Sequence, residues 1–284
     1  MSNLRTALAA VCFAGALLVP AHASAAAIVP GSLANTLPSI DDVSASPVGI
    51  GFSINFYGTT FTQLSVNENG NITFADAGYG DYTVGNLADT GRPIIAGFLG
   101  DVDTLGAGSG NVTYGNLTIG GRQVFAVDYT NIGYFDSNTD KLNSFQILLI
   151  DRSDTGAGNF DLELNYNQVQ WESGDASGGF DGLGGGSAVA GFSSTGTPAG
   201  NTFEFAGSAV NGALIDGGPN SLVAGTNTNT AGRYHFSFRA GSLATPEPGT
   251  AFSTLIGLAL AALALKLRLG LNLGSKSRRS TTSC

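Results

Sequence analysis

Hydrophobic and polar positions alternate with a period of two through the middle of the chain. Phe160, Leu162, Leu164 and Tyr166 are separated by Asp161, Glu163 and Asn165, and Tyr234, Phe236 and Phe238 by His235 and Ser237. Phe125, Val127 and Tyr129 alternate with Ala126 and Asp128. Successive side chains of a strand point to opposite faces, so this rhythm predicts strands with one face buried. Residues 50–57, 61–66, 71–75, 111–119 and 188–193 are further strand candidates. Pro93–Leu99 is apolar throughout and Phe145–Ile150 is apolar apart from Gln146, which predicts strands covered on both faces. Clusters of Gly, Asn, Asp and Ser separate these segments, and no helical stripe precedes residue 250. The expected fold is all-β, an antiparallel β-sandwich. Gly174–Gly186 and Asn211–Gly232 are too poor in apolar residues to pack and are expected as long glycine-rich loops.

The two ends follow a different pattern. Arg5 precedes an apolar stretch from Ala7 to Val19, which is too short to span a bilayer comfortably. Ala21-His22-Ala23 and Ala23-Ser24-Ala25 follow it as small-x-small sites, so residues 1–25 read as a secretory signal peptide cut after Ala23 or Ala25. At the other end, Pro246-Glu247-Pro248 leads into an apolar run that starts at Ala251. A transmembrane helix over 251–271 fits this run, provided Lys266 and Arg268 snorkel. Lys276, Arg278 and Arg279 then predict a cytoplasmic tail, 272–284, with the domain on the other side of the membrane. The expected organisation is therefore signal peptide 1–25, β domain 26–243, linker 244–250, helix and tail.

Composition narrows the function. Of 284 residues, 42 are Gly, roughly twice the usual share. Residues 26–245 hold 20 acidic against 6 basic side chains, a surface that repels phosphate backbones and disfavours nucleic-acid binding. Both cysteines, Cys12 and Cys284, lie in the end segments, which excludes a disulfide scaffold or a cysteine-based zinc site in the domain.

Candidate chemistry is sparse. His235 is the one histidine left after signal removal, and it sits on the polar side of an alternating strand. No Gly-x-Ser-x-Gly, His-Glu-x-x-His or Walker-type sequence occurs. Asp101 and Asp103 share one face of an extended segment and are the candidate ligands for Ca²⁺ or another hard cation. The EF-hand pattern fails there, with Leu105 at the fifth position and Val112 at the twelfth. Asp136-Ser137-Asn138-Thr139-Asp140 is a weaker cation candidate, because Lys141 stands where the turn Gly belongs. Asp175, Ser177 and Asp181 mark the glycine-rich loop as a candidate binding loop. No cofactor is implied, Ca²⁺ apart.

Two resemblances sharpen the reading. Pro-Glu-Pro, an apolar helix and a basic cluster, in that order over about 245–279, resemble the PEP-CTERM sorting signal of Gram-negative bacteria. This implies recognition by an exosortase near Pro246, Glu247 and Pro248 after export by the secretion machinery. The plain alternative is a single-pass anchor in the inner membrane. Within the domain, Val66-Asn67-Glu68-Asn69-Gly70-Asn71, Gly97-Phe98-Leu99-Gly100-Asp101-Val102-Asp103 and Trp171-Glu172-Ser173-Gly174-Asp175-Ala176-Ser177-Gly178-Gly179 resemble the nidogen-like (NIDO) extracellular domain. The likeness spans about 50–240 and implies a matrix or surface module linked to cell–matrix adhesion, without catalysis. It departs from the family in lacking EGF-like repeats and cystines.

The expectation is a non-enzymatic, surface-sorted binding or structural module, probing matrix polysaccharide or a surface protein in an extracellular matrix or biofilm. The alternatives are a polysaccharide-acting hydrolase using paired carboxylates and a passive coat component.

Overall fold

The computed structural model describes residues 27–74, 77–194 and 201–244. The expected signal peptide with Ala23 and Ala25, the Pro246-Glu247-Pro248 motif, the 251–271 helix and the tail lie outside the described residues. Among the described residues, no helix is long and apolar enough to cross a membrane.

Period-two patterning produces strands. In chain order they are β1 (Asn35–Thr36), β2 (Ser44–Phe56), β3 (Thr59–Asn67), β4 (Asn71–Thr73), β5 (Ile94–Leu99), β6 (Val102–Asp103) and β7 (Val112–Ile119). There follow β8 (Arg122–Tyr134), β9 (Asn138–Asp151), β10 (Phe160–Gln168), β11 (Val189–Ser193), β12 (Thr202–Glu204), β13 (Arg233–Arg239) and β14 (Ser242–Leu243). Three short 3-10 turns are the only helical elements among the described residues. One sheet has the order β1-β7-β8-β9-β10-β13-β14, with β6 paired to β8, and the second has the order β12-β11-β5-β4-β3-β2. All pairings between these strands are antiparallel.

The inner faces of the two sheets meet in an aromatic core. Phe160 and Phe238 stack with centroids 4.7 Å apart, and Phe56 and Phe192 pack against Phe238 from the other sheet. Such aromatic pairs add stability beyond their buried area, roughly 0.5–1.5 kcal/mol each. Two buried tyrosines cross between the sheets and find main-chain acceptors. Tyr129 donates to Asn67 O (2.7 Å) and Tyr166 donates to Gly97 O (2.6 Å). Trp171 is fully buried beside Phe98 and Tyr134, and its Nε1–H donates to Ile132 O at 3.1 Å.

The two apolar runs, the second interrupted by Gln146, are covered on both faces, as their composition predicts. Outside the first sheet, Val29 and Leu33 of the N-terminal segment pack over Val124, Ala126 and Leu148. Gln146 fastens that segment through both the N–H and the carbonyl of Val29, at 3.1 and 3.0 Å. Outside the second sheet, Tyr79 and Leu87 cover Ile94, Ala96 and Leu99. One expectation needs correction. The Asn211–Gly232 segment is not a solvated loop, because Leu214 and Leu222 are buried in the main core. A pair of leucines at the right positions anchors a long, otherwise polar segment, and an average over its composition hides them.

Candidate functional site

Antiparallel connectivity sends alternate connections to opposite ends of the sandwich. One end therefore gathers the segment before β2 and the β3–β4, β5–β6, β6–β7, β8–β9 and β10–β11 connections. Most of the sequence-predicted acidic candidates lie there.

The β3–β4 turn organises this end. Gly70 has φ +78°, and a Cβ there would overlap the Phe98 carbonyl oxygen, so only glycine fits. The turn aims Glu68 and Asn69 at β6. Glu68 Oε1 accepts from the Thr104 N–H (3.2 Å) and Oγ1–H (2.7 Å), while Oε2 accepts from the Val43 N–H at 3.2 Å. Asn69 Oδ1 accepts from the Val102 N–H (3.0 Å), and its Nδ2 donates to Asp42 Oδ1 at 2.7 Å. These side chains hold the Asp41-Asp42 segment against the Asp101–Asp103 strand.

Asp101 and Asp103 are both buried but face different surroundings. Asp103 spends both oxygens on its own fold: Oδ1 accepts from the Leu105 N–H at 2.7 Å, and Oδ2 from the Ser137 N–H at 2.8 Å. Its carboxylate closes an Asx-type turn and ties β6 to the β8–β9 connection. Asp101 lies against the glycine-rich loop, where a Cβ on Gly174 would overlap its carboxylate. Its Oδ2 is buried and finds no hydrogen-bond partner among the described residues, and the same holds for Asp41 Oδ1.

Electrostatics follow from this crowding. Burial, then the charges of Asp41, Asp42 and Asp103, push Asp101 up to about 7, against a donated hydrogen bond from the Ser177 N–H. Burial likewise pushes Glu68 up to about 7, despite its hydrogen bonds from Thr104 and Val43. Asp41 is raised by burial and by Asp42, Asp103 and Asp136. The influences on these three groups are burial, other carboxylates and N–H or O–H donors, with no cation among them.

The glycine-rich loop closes over this cluster. The Asp175 N–H donates to Phe135 O (2.8 Å), and the Phe135 N–H donates to Asp101 O (3.1 Å). Ser177 Oγ contacts Thr83 Oγ1 on the strap outside the second sheet. At the loop root, Glu172 is fully buried and accepts from Ser187 Oγ (3.1 Å) and the Gly212 N–H. At the loop tip, Phe180 is 86% exposed. Beside it lies an open depression of about 590 Å³ lined by Tyr134, Asn138, Thr139, Asp140, Asp175 and Asp181. Lys141 spans its rim, bonded to Asp140 at 2.6 Å and to Asp181 at 2.5 Å.

The structure thus brings the predicted Asp101 and Asp103 together with the predicted Ser177 and Asp175, and Asp175 also shares the depression with Asp181, which is held in an ion pair with Lys141 on its rim. Sequence reasoning missed Asp41, Asp42 and Glu68. The Asp41-Asp42 doublet and the Asn67-Glu68-Asn69-Gly70 turn are visible in the chain, but their convergence depends on strand order. His235 lies elsewhere, on the outer face of the first sheet, with Nδ1 3.5 Å from Glu163.

A family model described as NIDO related matches residues 22–215. The chain is 29% identical to alpha-tectorin of Gallus gallus over 223 residues, covering 70% of this chain and 10% of that protein. The alpha-tectorins of Mus musculus and Homo sapiens match at the same identity and coverage. The chain therefore spans about a tenth of the length of these relatives. No solved structure matches.

Proposed function

The chain belongs to the NIDO-related family, and from that premise we propose that it is a non-enzymatic extracellular adhesion or structural module on a bacterial surface. Its loop end binds matrix polysaccharide or a surface protein. The observation that carries this reading is the exposed Phe180 at the tip of a glycine-rich loop, beside a depression lined with carboxylate and amide groups. An exposed aromatic face next to polar acceptors suits a sugar ring or an extended peptide. The likeness to alpha-tectorin supports an extracellular setting.

The terminal segments deliver the domain. Cleavage after Ala23 or Ala25 leaves a chain whose Ala27 is already buried, with its carbonyl held by Arg233 at 2.9 Å. Folding therefore begins within a few residues of the expected cut. Pro246-Glu247-Pro248 is the exosortase recognition point, and the 251–271 helix holds the chain in the inner membrane until processing. Mass spectrometry of the mature C-terminus tests this part: loss of everything beyond the motif is expected, and an intact tail reduces the segment to a plain anchor.

The adhesion reading is tested with the full chain. Phe180→Ala, at an exposed position, is expected to lower retention on matrix polysaccharide or on cells at least about fivefold, with Tm unchanged, because exposed substitutions away from special features cost under about 0.5 kcal/mol. Unchanged retention, or polysaccharide turnover abolished by replacing one or two of the loop-end acids, overturns it in favour of a coat component or a hydrolase.

A further inference from the structure

We propose that the loop end holds a calcium ion between Asp101 of the β5–β6 connection and Asp41 of the segment before β2. This goes beyond the adhesion reading and does not depend on it. The pair differs from the one spacing alone suggests, because Asp103 is committed to the Leu105 and Ser137 N–H groups and has no oxygen left to give. Glu68 is committed in the same way to Val43 and Thr104.

Asp101 and Asp41 remain. Asp101 is 2% exposed, and its Oδ2 is buried without a hydrogen-bond partner among the described residues. Asp41 Oδ1 is in the same condition, and among the neighbouring carboxylates Asp41 acts most strongly on Asp101. Two orphaned carboxylate oxygens on adjoining segments are costly without a counter-charge, since an unpaired buried charge is among the least tolerated features of a fold. Asn69 fixes the two segments together by bonding Asp42 on one side and Val102 on the other, so the segments that carry Asp41 and Asp101 adjoin before any ion arrives.

The donor set selects the ion. All candidate ligands are oxygens, which favours hard cations over zinc or copper. Among the described residues no three His, Cys, Asp or Glu side chains form a group able to hold a metal. Calcium fits such a partial set, because it accepts six to eight oxygens and completes them with carbonyls and water. Magnesium demands tighter octahedral geometry and gives up water reluctantly. Sites with few charged ligands are weak, in the range of extracellular modules, Kd ~10⁻⁴–10⁻³ M. Asp42 and Asp136 add to the negative field without bonding the ion.

The test uses the full chain, stripped with EDTA and melted near pH 8 at fixed ionic strength. Calcium chloride at several times ~1 mM, the upper end of that affinity range, is expected to raise Tm by several degrees, and magnesium chloride by clearly less. Asp101→Asn is expected to abolish the response while leaving Tm in EDTA equal to or above that of the unaltered chain, because it removes an uncompensated charge. Asp41→Asn, at a less buried position, is the second variant and is expected to weaken the response at least about tenfold in calcium concentration, one ligand being lost. No calcium response in the unaltered chain, an equal response to magnesium, or a response intact in both variants overturns the proposal.

Discussion

Two acidic groups in this protein, equally buried, have opposite fates. Asp161 on β10 and Asp101 at the loop end are 3% and 2% exposed. Asp161 accepts from Arg152 and Arg239, each at 2.6 Å, and from Ser237 at 3.0 Å. Burial pushes Asp161 upward, but these donors outweigh it and hold the carboxyl below its ordinary value. Beside it, Glu163 is also raised by burial and then drawn below its usual value by His235, Arg233 and Asn165. Asp101 has no cation among its influences and moves the other way. Burial alone therefore does not decide whether an acid stabilises a fold. The partner does, and among the described residues only one of the two groups finds its partner.

The largest test breaks the compensated side. Arg152→Met combined with Arg239→Met leaves Asp161 buried without its cations and is expected to cost about 3–4 kcal/mol at neutral pH. Chemical denaturation measures it, and a loss below about 1 kcal/mol would place the pair among ordinary surface ion pairs.

The next test uses pH. Asp101 and Glu68 have folded values near 7, above those of an unfolded chain, so between roughly pH 4 and 7 the folded state holds protons that the unfolded state has released. Stability should fall as pH rises through that window, by about 5 kcal/mol for the two groups together between about pH 5 and 8 in the absence of calcium. The lowered Asp161 and Glu163 act in the opposite sense: their contribution is present above their unfolded values and is lost as pH falls through the lower folded ones. Denaturant titrations across this range should show a maximum in mild acid, and Asp101→Asn should flatten the alkaline side. A maximum at pH 8 would contradict the contrast between the two groups.

The smallest expected effect sharpens the contact between the loop and Asp101. Gly174→Ala places a methyl against the Asp101 carboxylate and is expected to cost about 1–2 kcal/mol, read as a Tm shift. The same change at Gly184, whose Cβ would meet nothing but whose φ is +81°, isolates backbone strain from contact.

Much of the fold was legible in the chain because strand formation is local. The alternation at Phe160–Tyr166 and Tyr234–Phe238 became β10 and β13, which pair with Phe160 opposite Phe238. The runs at Ile94–Leu99 and Phe145–Leu149 became strand segments buried on both faces. Short strands such as β1, β6 and β12 were not legible, since two or three residues carry no period and form only where a neighbour offers free N–H and C=O groups. Leu214 and Leu222 were misjudged for a related reason: a core position inside a polar segment is set by what lies beneath it.

The site divides along the same line. By itself, the sequence determined that the protein is a β-sheet domain with acid-rich turns and a glycine-rich loop, because residue type and spacing act within a few neighbours. Only the tertiary structure decided which acids meet. Asp41, Glu68, Asp101, Asp136 and Asp175 stand on five separate connections, and strand order alone gathers those connections at one end. It also decided which acids meet an arginine. Register across β10 and β13 sets Asp161 opposite Ser237, within reach of Arg239, and among the described residues no strand carries a cation to Asp101. Charge interactions act through space over a few ångströms, and a linear chain does not display those distances until its sheets have closed.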